Sequence, residues 1–203
     1  MVHRITYMLL LAALCISCGK DGGIQDTFFG SVEFGQQKHQ VLEALYAQHF
    51  VDAATGQQDQ HFDTIPLDDG DYSELKILAS ADSTGFAFLG QRWLNVQVQF
   101  DGNGLYCISF RAKATAKAKA SKEFAAILRT LQKNYEMQRM VIGNSSAEGQ
   151  AADIVGYRYD SGLLMVQLYL NELPDGSAAP VLSYIATKEY SHRASRRARR
   201  SQQ

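Results

Sequence analysis

The sequence predicts an α+β fold: an antiparallel sheet with two amphipathic helices packed on one face, arranged as two strand-helix-strands repeats. Three observations carry this. Leu94, Val96, Val98 and Phe100 alternate with Asn95, Gln97 and Gln99, then Asp101-Gly102-Asn103-Gly104 turns and Leu105 to Phe110 returns, which makes a β-hairpin with one dry and one amide-rich face. Val41, Leu42, Leu45, Tyr46, His49 and Phe50 recur at three and four, as do Phe124, Ile127, Leu128, Leu131 and Tyr135, so each group stripes one side of a helix. A sheet and two striped helices bury their apolar faces most economically against one another.

In chain order, the first element is a leader. His3 and Arg4 precede an apolar run from Ile5 to Leu14, which ends in Cys15-Ile16-Ser17-Cys18. A charged start, a short apolar middle and a small residue before a cut mark an export signal, and the run is too short to span a bilayer. Residues Leu11 to Cys18 resemble a bacterial lipoprotein signal cut between Ser17 and Cys18, with Cys15 standing where an aliphatic residue is commoner. The resemblance implies that residues 1–17 are removed and that Cys18 carries a diacylglyceryl group on sulfur and a fatty acid on its amine. Two or three chains on one residue make a lasting anchor, since each buried CH₂ contributes about 0.8 kcal/mol. The expected location is the cell envelope, at the outer membrane of a Gram-negative bacterium. Gly19-Lys20-Asp21-Gly22-Gly23 has no apolar content, so residues 18–26 read as the lipidated cysteine and a flexible tether.

Residues 27–190 then form a single α+β domain with halves at 27–104 and 105–190. Thr27 to Phe34 reads as a strand, Gln36 to Phe50 as the first helix, and Val51 to Asp71 as mostly loop with a short strand near Phe62 to Ile65. Leu75 to Ala79 and Gly85 to Leu89 are short strands before the hairpin. The second helix is firm from Phe124; the alanine-lysine stretch from Ala112 to Lys122 favours helix by composition but has no clear period. Met137 to Ile142 is a strand, Ile154 to Tyr159 and Leu163 to Leu170 a second hairpin around Asp160-Ser161-Gly162, and Val181 to Thr187 a last strand. Residues 191–203, rich in arginine and poor in apolar groups, read as a disordered basic tail.

Charge is unevenly spread. Arg193, Arg196, Arg197, Arg199 and Arg200 crowd the C-terminus; setting them and Arg4 aside leaves 14 basic residues against 21 acidic ones, so the body is acidic and the tail basic. A basic tail on an exported protein suits an anionic membrane or an acidic polymer better than nucleic acid. Of the three cysteines, Cys15 leaves with the leader and Cys18 goes to lipid, so Cys107 has no disulfide partner in the mature chain.

Gly35, Val41 and Leu45, spaced by five and then three residues, resemble the start of the helix in small outer-membrane lipoproteins of the SmpA/OmlA type and the similar β-lactamase-inhibitor-like repeats. The resemblance implies helices on an antiparallel sheet and a binding or assembly role without catalysis. It covers about a dozen residues and transfers no binding residue; Phe50-Val51-Asp52 stands where that family tends to have Leu-Gly-x-Pro.

Several constellations bear on chemistry. Cys107, with His61 and Asp63, has the residue types of a thiol nucleophile, but a cysteine in the middle of Leu105 to Phe110 reads as core. His39, His49, His61 and His192 lack metal-ligand spacing, and Asp68-Asp69-Gly70-Asp71 with Glu74 fails the calcium-loop order at Ser80, so no metal or other cofactor is expected. Lys113, Lys117 and Lys119 near a helix start are candidate anion contacts, weighed against solvated lysines on a helix that starts nearer Ser121. The face carrying Trp93, Asn95, Gln97 and Gln99 is the candidate binding surface, against an ordinary solvent face. The expectation is a non-catalytic lipoprotein that binds an envelope protein or cell-wall component, with an envelope enzyme acting on peptide or glycan as the alternative.

Overall fold

The computed structural model describes residues 27–29, 31–58, 74–82, 85–145 and 152–200. The leader, the tether, the strand expected at Phe62 to Ile65 and the acidic run Asp68 to Asp71 lie outside them. The chain opens on two short paired strands, β1 (Thr27–Phe28) and β2 (Val32–Glu33), rather than on one continuous strand. A turn with Phe29 at a left-handed φ of 51° folds this segment back, and Phe28, Val32 and Phe34 are all buried. Helix α1 (Lys38–Ala47) follows; the side chain of Gln40 accepts the Gln37 N–H at 3.0 Å to close a capping box, and Val41, Leu42 and Leu45 are its buried stripe.

The strands β3 (Phe50–Asp52), β4 (Glu74–Ser80), β5 (Phe86–Phe88), β6 (Gln91–Trp93), β7 (Asn95–Asp101), β8 (Gly104–Arg111) and β9 (Thr115–Ala116) come next. Helix α2 (Lys117–Leu131) leads to β10 (Gln138–Ser145), β11 (Ala152–Asp160), β12 (Leu164–Glu172) and β13 (Ser177–Ala186), and the described chain closes on helix α3 (Lys188–Arg200). The main sheet runs β10-β11-β12-β13-β8-β7-β4-β3 with every pair antiparallel, and β9 pairs beside β8 on β13. This is a mixed α+β architecture dominated by antiparallel sheet. Pro180 lies inside β13, where sequence had placed it before the strand; it falls in the gap between the β9 and β8 pairings, where a residue without an N–H is tolerated.

Alternation along β7 and β8 decides what each face carries. Val96, Val98, Phe100, Ile108 and Phe110 are fully buried and join Val41, Leu42 and Leu45 of α1, Ile127 and Leu131 of α2, and Leu168 and Leu182 in one core. Aromatic rings fill its centre, with Phe88 stacked on Phe110 at 4.5 Å and Phe28 edge-on to Tyr184 at 5.2 Å. The opening segment is stitched to the central strands by Gly35 N–H to Leu105 O and Leu105 N–H to Gln36 O, both 2.8 Å. Gly104 makes that approach feasible. At φ 100° it sits where a Cβ would fall 2.4 Å from Gln36 O.

The basic tail departs from expectation. Residues through Arg200 continue as α3 instead of a disordered segment, because Tyr190 and Ala194, one turn apart, give the helix an apolar stripe that packs on the core. The Tyr190 ring meets Phe34 edge-on at 6.1 Å, and Ser191 is wholly buried. Glu189 accepts from Arg193 one turn later, while Arg196 is exposed. No helix among the described residues is long and apolar enough to cross a membrane.

Candidate binding face

Opposite the core, the alternate residues of the central strands make a second, polar surface. Register places Ile77, Gln97, Ser109, Ser183, Gln167 and Arg158 in one row across six strands. A neighbouring row runs Asn95, Arg111, Val181, Tyr169 and Gly156. Between them lies a shallow groove of about 210 Å³, walled by Asn95, Gln97, Ser109, Arg111, Tyr169 and Asn171. Its floor is rigid, being the backbone of β7, β8, β13 and β12, the paired middle of the sheet.

Hydrogen bonds order this face. The Ser109 hydroxyl donates to Ser183 Oγ at 2.8 Å, and the Tyr106 hydroxyl donates to Gln99 Oε1 at 2.8 Å. A register shift at Gln99/Phe100 slips Tyr106 in as an extra residue, so Cys107 turns towards the polar side with Ser109. Cys107 is nonetheless 5% exposed, with its sulfur 3.7 Å from Ser109 Oγ. Burial pushes its thiol up to about 11, the Ser109 contact only partly opposing. It therefore stays protonated at neutral pH, the wrong state for a nucleophile. Burial also raises the Tyr169 phenol, against the pull of the Arg111 guanidinium. The groove offers neutral amides and hydroxyls with one cation at its end, which is chemistry for hydrogen-bonding a polar ligand.

Of the four residues proposed for the binding surface, Asn95 and Gln97 line the groove, and Gln99 lies in the row beyond it, bound to Tyr106. Trp93 does not belong to that surface. It is 1% exposed, its Nε1 donates to Phe88 O at 2.9 Å and its ring lies 5.7 Å from Phe110. The chain bends at Leu94 between β6 and β7, so the alternation does not carry across, and Trp93 folds with β5 over the core. Sequence reasoning missed Ser109, Arg111, Tyr169, Asn171 and Ser183. Their signal is the same alternation read through β8, β12 and β13 and then aligned across strands, and register is what sequence lacks.

The lysine trio is partly accounted for inside the chain. Helix α2 starts at Lys117, ahead of Ser121, and Lys117 Nζ lies 2.7 Å from Glu172, a carboxylate of β12. Lys119 lies 4.0 Å from Glu123, and Lys113 is exposed before the helix. A larger cleft of about 570 Å³ opens where α2 faces β11 and β12, between Phe124, Arg139, Tyr157 and Leu170. At its rim Glu172 accepts from Lys117 and the Ser121 hydroxyl donates to Lys117 O, and its aromatic contact, Phe124 to Tyr157 at 6.1 Å, packs helix on sheet. His61 and Asp63 lie outside the described residues, and among those described no three His, Cys, Asp or Glu side chains cluster to hold a metal. Comparison of the chain with protein-family models, with curated proteins and with solved structures finds no match.

Proposed function

We propose that the chain is a lipid-anchored module of the bacterial cell envelope that binds an envelope protein or cell-wall component without catalysis, through the polar face of its sheet. The observation that carries this is the cluster of half-buried polar groups, the amides of Asn95, Gln97 and Asn171 and the hydroxyl of Ser109, set on the paired middle of the sheet. Such groups match a neutral hydrogen-bonding ligand such as a peptide backbone or a glycan, and a rigid platform spares much of the ordering entropy that binding costs. A protonated Cys107 beside them favours binding over thiol chemistry. Anchoring by Cys18 would confine the module near a membrane and raise its effective concentration towards neighbours.

The same reading takes the architecture as two repeats, with their boundary moved from 104/105 to the end of β8, each a helix followed by a meander of four strands: α1 with β3, β4, β7 and β8, and α2 with β10 to β13. In support, the last strand of each unit, β8 and β13, pair antiparallel at the centre of the sheet, and the helices contribute to one core. The groove then sits on the joint between units, where each supplies one wall. The test is a chemical-crosslinking pull-down from intact envelopes, comparing the wild type with Gln97→Ala/Asn171→Ala. Loss of the captured partner by the folded double variant supports the reading; unchanged capture contradicts it. Cys18→Ala should independently abolish lipid labelling and release the protein to the soluble fraction, while Cys15→Ala should do neither.

A further inference from the structure

Two features with no part in the groove lie close together on the core side of the sheet: the point where the chain enters the body and the basic helix α3. Phe28 packs on Phe34 at 5.5 Å and Phe34 on Tyr190 at 6.1 Å, so two ring contacts link the first strand to the first turn of α3. Helix α3 touches the body with Tyr190, Ser191 and Ala194, and exposes His192, Arg193 and Arg196. Its last eight residues include five arginines and no acid. The rest of the chain is net acidic and so attracts these charges in general terms, yet Arg193 and Arg196 stand exposed on the side of α3 turned away from the core, open to an anionic surface.

We infer that α3 is a second membrane contact, one that grips anionic lipid headgroups and orients the module with its core side towards the bilayer and its polar groove away from it. This rests on the lipid-anchor reading of Cys18. Eight residues lie between that cysteine and Thr27, a span of at most about 30 Å when fully extended. Helix α3 is about 20 Å long and begins beside the strand that the tether feeds, so it lies within reach of any surface holding the lipid. A tether alone leaves orientation free. Adding the arginines of α3 at the same end of the molecule removes most of that freedom, since each cation near an anionic surface favours contact by about fivefold. The groove, on the other side of the sheet, then faces outward, where a cell-wall polymer or a partner protein can reach it.

The experiment uses the lipidated protein in vesicles whose headgroups carry a short-range quencher, with a fluorophore at His192→Cys on α3 or at Ile77→Cys on the groove face. In phosphatidylglycerol vesicles at low salt, the α3 label should be quenched at least about threefold more than the groove label, and about 1 M salt should erase the difference. Phosphatidylcholine vesicles should show none of it. Replacing Arg193, Arg196, Arg197, Arg199 and Arg200 together by glutamine should erase it too, while the protein still sediments with the vesicles. Equal quenching of the two labels in phosphatidylglycerol, or a difference that survives salt or the glutamine variant, overturns the assignment of α3 alone. Release of the wild-type protein from vesicles at high salt overturns the anchor, and the orientation with it.

Discussion

Trp93→Ala should unfold or nearly unfold the domain rather than trim a binding surface, and its size can be worked from the structure. The indole is 1% exposed, contacts Phe110 at 5.7 Å and ties β6 to β5 through Nε1–H to Phe88 O. Truncating a buried tryptophan to alanine costs about 3–5 kcal/mol for lost transfer energy and the cavity left behind. The Phe88 carbonyl also loses its donor, at about 1–3 kcal/mol if no water reaches it. Together these approach the whole stability of a typical domain, roughly 5–15 kcal/mol. Trp93→Phe keeps most of the apolar area, forfeits the hydrogen bond, and should cost about 1–3 kcal/mol. The assay is urea denaturation followed by far-UV circular dichroism, because Trp93 is the only tryptophan and its removal blanks the fluorescence. A Trp93→Ala protein within about 1 kcal/mol of the wild type that had lost its partner would refute the buried placement and return Trp93 to the surface.

Three further outcomes follow from single atoms. Ser191 is fully buried with a hydroxyl that has no partner among the described residues, so Ser191→Ala should raise stability by about 1 kcal/mol, measured as a higher urea midpoint at unchanged slope; a loss of similar size would contradict the docking of α3. Gly104→Ala places a Cβ 2.4 Å from Gln36 O at φ 100° and should cost about 3 kcal/mol or more, seen as a large fall in Tm; a neutral effect would show that the stitch of Gly35 and Gln36 to Leu105 is loose. Cys107 keeps its proton in the fold until about pH 11, against an ordinary value of 9.0. Between those pH values the unfolded chain binds fewer protons than the fold, so stability falls as pH rises, by on the order of 3 kcal/mol across the window and not below it. Cys107→Ser should flatten the profile between pH 9 and about 10, below the range in which the raised phenols of Tyr169 and Tyr184 add a fall of their own, and an equally steep profile there in the variant would place the titrating group elsewhere.

What the sequence revealed depended on whether a pattern was local. The β7–β8 hairpin was legible because apolar and amide residues alternate through Phe100 and an Asp101 to Gly104 turn closes it. The cores of α1 and α2 were legible from their three-and-four spacing, though α1 proved shorter, at Lys38–Ala47, and α2 began earlier, at Lys117, where alanines and lysines carry helix propensity without a stripe. Strand β3 was read as the end of the first helix at Phe50 and then loop, because three residues are too few to show a period. Helix α3 was hidden by its charge: one apolar stripe of Tyr190 and Ala194 suffices once Phe34 is there to receive it, and Phe34 is far away in sequence. The groove was half visible. Asn95 and Gln97 stood out within one hairpin, whereas Arg111, Tyr169 and Asn171 join them only through the β8–β13–β12 register, which is tertiary information.

The central claim, that the polar sheet face is where the module meets its partner, is tested most directly by site-specific photocrosslinking in living cells. A photoreactive amino acid is placed one position at a time at Gln97, Asn171 and Arg129, the last exposed on α2 and away from the groove. The account predicts a discrete crosslinked product from Gln97 and Asn171 and none from Arg129. A product from Arg129 with none from the two groove positions would contradict it.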